Sequence, residues 1–196
     1  MIVVGLTGNL ASGKTGAAKV FKKLGAKVLD ADAAAKKLTQ KGTPIYKAIL
    51  KLFGESFVGR SGELDRRKLA WHVFAHPGAL KKLNILIHPG VIMEAYKAIE
   101  AVKDKEGMLV LDVPLLFESH MEKLVDVTVV VRANEKAMLS RAAKRGVPRS
   151  LALKILASQW PLSKKAKLAD YVIDNNGSPA QLEAAVRKIY GVIGQF

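Results

Sequence analysis

The sequence predicts an α/β fold: a parallel sheet of five strands covered by helices on both faces, with a helical lobe inserted into it. Three observations carry this. Short, almost wholly apolar segments alternate along the chain with segments of helical spacing, the alternation of a sheet whose strands are joined by helices. The first apolar segment runs straight into a glycine-bounded loop. Between Ala33 and Glu106 the strand signal almost vanishes while helical spacing continues.

Taken in order, the strand candidates are Ile2–Leu6, Ala26–Leu29, Met108–Leu111, Val127–Val131 and Tyr171–Ile173, each short and rich in apolar, often β-branched residues. Helical patterns begin near Thr15, Ala33, Pro44, Asp65, Pro77, Pro89, Asn134, Pro148 and Pro179. In the helical stretch the punctuation is Gly-Thr-Pro, the Gly54–Gly62 segment and two His-Pro-Gly tripeptides at 76–78 and 88–90. Each tripeptide reads as a turn followed by proline at a first helical position.

The glycine loop, Gly8-Asn9-Leu10-Ala11-Ser12-Gly13-Lys14-Thr15, fits G-x-x-x-x-G-K-[ST] and lies between a strand and a helix, the context in which that pattern has a physical meaning. Glycines let the backbone curl so that successive N–H groups converge on phosphate oxygens. The helix that follows adds partial positive charge at the same point. Lys14 is expected to reach the β- and γ-phosphates of a nucleoside triphosphate, and the Thr15 hydroxyl to ligate Mg2+.

The chain has 196 residues, no cysteine and a formal net charge of +15. Without cysteine, disulfides and thiol chemistry are excluded. No apolar stretch approaches membrane-spanning length, and the short apolar start lacks the basic flank of a signal peptide, so a cytoplasmic protein is expected. The positive charge raises nucleic acid as a partner. The lysines are nevertheless dispersed and aromatic residues few, which favours solvated helix faces and a field that attracts phosphate-rich small molecules.

One basic region stands out. Nine Lys or Arg residues and no acid lie between Lys136 and Lys167. Arg141 and Arg145 are four apart and share a helix face, as expected of a lid that closes cations over phosphates. Two acids complement it. Asp32, in LDADAAAKKL, follows the second strand; it is placed to cap a helix starting at Ala33, or to orient an acceptor hydroxyl for phosphoryl transfer. Asp112 ends the third strand, near where the Mg2+ shell is expected, and leads into Val-Pro-Leu115-Leu-Phe-Glu118. The four histidines show no metal-ligand spacing, so no zinc is expected.

The chain resembles the dephospho-coenzyme A kinase family over nearly its whole length. The resemblance rests on GLTGNLASGKT at 5–15, LDADAAAKKL at 29–38, LDRRKLAWHVF at 64–74, LNILIHPGV at 83–91, LDVPLLFE at 111–118 and SQWPLSKKAKLADYVIDNNG at 158–177. It implies a P-loop kinase fold: a nucleotide-binding core from residues 1–32 and 107–196, with a lid at about 136–167, and an acceptor-binding helical lobe at 33–106. It implies transfer of the ATP γ-phosphate to the 3′-hydroxyl of dephospho-CoA, with Mg2+. By position, Asp32 is the general base and Lys14, Arg141 and Arg145 neutralise transferring charge. Gly8, Asn9 and Ala11 to Gly16 hold ATP, Asn175 lies by its base, and Lys36, His88, Pro89 and Leu115 meet the acceptor.

Three positions depart from the family pattern. Ala11 stands where glycine is usual and is accommodated if its φ need not be positive. Thr15-Gly16 replaces Ser-Thr, and Lys36 replaces an arginine. The reading from the residues leaves two rivals: another small-molecule kinase with a nucleotide, sugar or shikimate acceptor, and a non-enzymatic nucleic-acid-binding module.

Overall fold

A computed structural model describes residues 1–195. Five parallel strands, β1 (Ile2–Thr7), β2 (Lys27–Asp30), β3 (Met108–Asp112), β4 (Val127–Arg132) and β5 (Tyr171–Asp174), form one sheet in the order β2-β3-β1-β4-β5. Burial explains the order. All five residues of β3 are buried and β1 is buried from Val3 onward, as strands covered on both faces must be. At the edges, β2 and β5 carry exposed residues at their ends.

The helices are α1 (Lys14–Lys23), α2 (Ala31–Leu38), α3 (Pro44–Phe53), α4 (Arg66–Ala75), α5 (Pro77–Glu100), α6 (Glu135–Lys144), α7 (Arg149–Ser158), α8 (Leu162–Leu168) and α9 (Pro179–Ile193). The chain divides into two compact units: residues 1–31 with those from Ala95 onward, and residues 32–94.

In the first unit, Phe21 of α1 and Val186 and Ile193 of α9 are buried against Val4, Leu6, Val110, Val129 and Val131 of the sheet. Each such side chain withdrawn from water contributes about 1.5–3 kcal/mol. Leu116 covers β1 at Gly5, where a Cβ would stand only 2.8 Å from Leu116 Cδ2. A capping box of Ser178 and Gln181 starts α9, and the Asn134 side chain accepts from Ala137 N–H to start α6.

The second unit has its own core of Tyr46, Ile49, Phe57, Leu64, Leu69 and Val73. An isolated antiparallel bridge, Val58 to Leu64, closes the glycine-rich turn between α3 and α4. The Tyr46 hydroxyl donates to Gly62 O at 2.6 Å.

Three local expectations are corrected. The second His-Pro-Gly does not start a helix: α5 runs through Pro89 without ending. A proline inside a helix costs about 3 kcal/mol. Here its ring is exposed, and neighbouring Gly90 lets α5 approach Leu38 and Ile45 too closely for a Cβ, so packing holds the turn together. The second helix begins at Ala31, which puts Asp32 inside its first turn rather than at its cap. Helix α8, absent from the periodicity reading, is seven residues long, about two turns, and four of those residues are polar or charged, so its apolar positions are few.

Candidate active site

Every strand of a parallel sheet points its C-terminal end to the same edge, where open α/β sheets bind ligands. Here Asp30 and Asp112 are in register across β2 and β3, and Arg132 and Asp174 across β4 and β5. The Arg132 guanidinium meets Asp174 at 2.6 and 2.9 Å and draws its carboxyl below the usual carboxylate range. The glycine loop leaves β1 at this same edge.

The loop folds on itself. Ser12 N–H donates to Asn9 O at 3.0 Å, and Gly16 and Ala17 N–H both reach Gly13 O. A Cβ at Gly8 would run into Val131 O and Ser12 Oγ. Gly13 has φ 109°, a conformation that favours glycine. Gly16 lies close to α9: a Cβ there would stand 3.1 Å from Leu182 Cδ2. Asn9 Oδ1 and Ser12 Oγ are buried without a hydrogen-bond partner, unusual for polar atoms unless a ligand or water meets them.

Ala11 overturns its expectation. Its φ is +56°, in the left-handed region, which costs an L-residue about 1–2 kcal/mol. Its methyl group packs with Leu139 and Ala142 of α6 and Ala152 of α7. Burying one such group returns about 0.8 kcal/mol, so alanine is tolerated here.

Lys14, the first residue of α1, is buried and pairs with the equally buried Asp112. Thr15 beside it is exposed. Few protein ligands suffice for Mg2+, which keeps waters and substrate oxygens in its shell. The Thr15 hydroxyl and the Asp112 carboxylate, on either side of Lys14, are donors of the kind that demand calls for.

The basic region forms α6, α7 and α8. Arg141 does not extend into solvent: its guanidinium donates to Ser12 O at 3.2 Å and to Asn175 O at 2.8 Å. Arg145, at the C-terminal end of α6, is exposed. Asn175 is buried beyond β5, and its side-chain amide donates to Ser12 O at 2.8 Å. Leu115 is half-buried after β3, beside the fully buried Leu116.

In the second unit, Asp32 and Lys36 are exposed one turn apart on α2. His88 and Pro89 line an open hollow on α5 with Leu80, Asn84, Ile85 and Ile92. Burial pushes the His88 imidazole below its ordinary value, so the ring is neutral at pH 7.

The sequence reading missed a second buried lysine. Lys165 of α8 is wholly out of solvent, 2.8 Å from Glu118 Oε1 and 3.0 Å from Pro114 O. Trp160 N–H donates to the same Glu118 oxygen, Asn9 Nδ2 donates to Trp160 O, and Leu10 N–H to Gln159 Oε1. The stretch from Gln159 to Lys165 thus braces the loop from outside. The signal was present: Leu162, Lys165 and Leu168 recur at helical spacing, and a lysine between leucines needs a buried partner.

The parallel sheet with order β2-β3-β1-β4-β5, the loop at the end of its central strand and the buried Lys14–Asp112 pair define an ATP-dependent kinase of the P-loop class. The family model for dephospho-CoA kinase matches residues 2–181. The chain is 37% identical to a dephospho-CoA kinase of Enterococcus faecalis over 95% of its own length and 94% of the relative's. It is similar to the crystal structure of TT1252 from Thermus thermophilus, with TM-score 0.78, 34% identity and coverage of 98% and 97%. A dephospho-CoA kinase structure from Campylobacter jejuni shares the fold, with TM-score 0.71, 24% identity and coverage of 98% and 97%. The chain belongs to the dephospho-CoA kinase family.

Proposed function

We propose that the chain transfers the γ-phosphoryl group of ATP to the 3′-hydroxyl of the dephospho-CoA ribose, the last step of coenzyme A synthesis. The observation that carries this is the buried Lys14–Asp112 pair behind the loop of a chain that belongs to this family. The bond from the γ-phosphorus to the β,γ-bridging oxygen breaks, one to the 3′-oxygen forms, and the hydroxyl proton passes to Asp32. The products are ADP and coenzyme A.

In this reading the loop from Gly8 to Gly16 cradles the triphosphate, and Lys14 spreads its positive charge over the β- and γ-phosphates. Thr15, with Asp112 nearby, would hold Mg2+, which would supply positive charge to the phosphate oxygens. Arg145, exposed at the C-terminal end of α6 within the 136–167 lid, meets the transferring charge.

Residues 33–106 take the acceptor. Lys36 supplies a cation for its phosphates, and the hollow at His88 and Pro89 supplies apolar surface, with Leu115 a further acceptor contact. Dependence on ATP supports a cytoplasmic location. The charge of +15 speeds encounter with two polyanionic substrates.

The test is a coupled ATP-consumption assay with dephospho-CoA, product mass measured, and adenosine, shikimate, gluconate and no acceptor run alongside. Turnover on dephospho-CoA alone, giving a product heavier by one phosphoryl group, is expected. Turnover only on another acceptor overturns the assignment of the substrate and leaves the class standing.

A further inference from the structure

We propose that Asn175 and Arg141 are positioning residues for the triphosphate that act through the Ser12–Gly13 peptide, not through the adenine base or the transferring phosphoryl group. The inference rests on the ATP-dependent reading above and deepens it.

Two side chains grip one carbonyl. Asn175 Nδ2 and Arg141 Nη1 both donate to Ser12 O, at 2.8 and 3.2 Å. Arg141 Nη2 donates to Asn175 O at 2.8 Å, which joins the two grips into a ring. Asn175 is itself anchored, because its own N–H donates to Arg132 O at the end of β4 at 2.8 Å. The contacts cross 163 and 129 positions of sequence, so they are made by the fold rather than by the loop.

A trans peptide is planar, with its C=O and N–H on opposite sides. Holding Ser12 O against Asn175 and Arg141 therefore turns Gly13 N–H the other way, as a donor. The loop by itself does not fix this choice. Gly13 has φ 109° and ψ 8°. Rotating the Ser12–Gly13 peptide by half a turn brings that φ to about −70°, an ordinary conformation for any residue, and exchanges the directions of carbonyl and N–H. Flipped, the peptide presents an oxygen where it had presented a donor, and an anion is repelled rather than bound.

The steric pattern agrees. A Cβ on Gly13 would collide with Asn175 Nδ2, so glycine is what allows Asn175 to reach the carbonyl. Arg141 lies on α6 of the lid and binds the loop directly, so the lid's position and the peptide's orientation are coupled.

Calorimetric binding of tripolyphosphate with Mg2+, and separately of adenosine, tests this on the full chain. Asn175→Leu has the same branched skeleton, no charge change and no donor, and Arg141→Lys keeps the charge while losing the two-pronged grip. Each is expected to weaken tripolyphosphate binding about tenfold, the effect of losing one hydrogen bond of this kind, with adenosine affinity changed less than about twofold. Asn175→Ala serves if Asn175→Leu does not fold. Equal loss on adenosine places these side chains at the base and overturns the proposal, as does unchanged binding of both ligands. Failure of the unaltered protein to bind tripolyphosphate or ATP sinks the ATP-dependent reading and this proposal together, whereas unchanged variants of a binding protein sink this one alone.

Discussion

The ammonium of Lys165 lies 2.8 Å from Glu118 Oε1, and the lysine side chain is wholly shielded from water. Desolvation pushes the lysine below its ordinary value, opposed by the adjacent carboxylate, and the positive charge of Lys14 also lowers it. Pro114 O accepts from both Lys165 and the Thr7 hydroxyl, the latter at 3.0 Å. The pair therefore ties α8, the turn after β3 and the strand that enters the phosphate loop to one point.

Removing either partner strands the other in the interior. Lys165→Met is expected to destabilise the protein by about 3–5 kcal/mol, the usual result of breaking a buried ion pair from one side. Combining it with Glu118→Gln should recover a large part of that loss, because two neutral side chains of similar volume no longer leave a bare charge. Urea unfolding measures both. A double variant no more stable than Lys165→Met would show that the pair acts through shape alone.

Lys14 presents the same physics with a functional load. Lys14→Met deprives the buried Asp112 carboxylate of its ammonium and is expected to lower stability by about 3 kcal/mol or more. ADP binding should weaken and turnover disappear. Measuring both at a temperature where the variant is folded separates the effects, and retained turnover would remove Lys14 from the phosphate site.

At Ala11 two opposing magnitudes nearly cancel. Glycine relieves about 1–2 kcal/mol of left-handed strain, but it loses the buried methyl, about 0.8 kcal/mol, and gives up about 0.5–1 kcal/mol in backbone entropy. Ala11→Gly should thus lie within about 1 kcal/mol of the unaltered protein. Ala11→Val, β-branched at positive φ, should lose more than about 2 kcal/mol. Thermal melts of the two variants decide it; a tolerated valine would mean the loop adopts another conformation in solution.

Asp32 sits in the first turn of α2, where the helix dipole favours a carboxylate. If it takes the acceptor proton, Asp32→Asn lowers kcat at least ~100-fold with ATP affinity unchanged. Steady-state kinetics beside ATP binding tests this, and near-normal turnover excludes Asp32 as the base.

His88 makes stability depend on pH. Burial lowers its pKa from 6.5, so between the folded value and 6.5 the unfolded chain binds more protons and stability rises with pH. The His88 contribution is therefore complete above about pH 6.5 and is lost as the solution is acidified through that window. Urea midpoints from pH 7.5 to 5 should fall less steeply for His88→Leu than for the unaltered protein. Parallel curves would show that the ring is solvated.

Much of the molecule was legible in its residues because it is local. All five strands came from short apolar runs, and each was found within a residue or two of its observed ends. The phosphate loop was legible because its pattern is contiguous and flanked by a strand and a helix. What stayed hidden involved partners far apart in sequence. Nothing near Asn175 announces that its amide will meet Ser12, and nothing near Lys165 announces Glu118. Pro89 read as a helix start because local sterics say so; Gly90 packed on Leu38 and Ile45 reversed that.

The sequence by itself determined the class of fold and the place of the loop and its lysine, since these follow from periodicity, composition and one uninterrupted motif. Tertiary structure alone decided that Ala11 takes a left-handed conformation, that α5 passes through its proline, and that Arg141 serves a carbonyl rather than solvent. The reason is energetic. Local preferences at these positions differ by about 1–3 kcal/mol, and a buried methyl, a close helix contact or a charged hydrogen bond supplies a difference of that size only after distant parts of the chain have met.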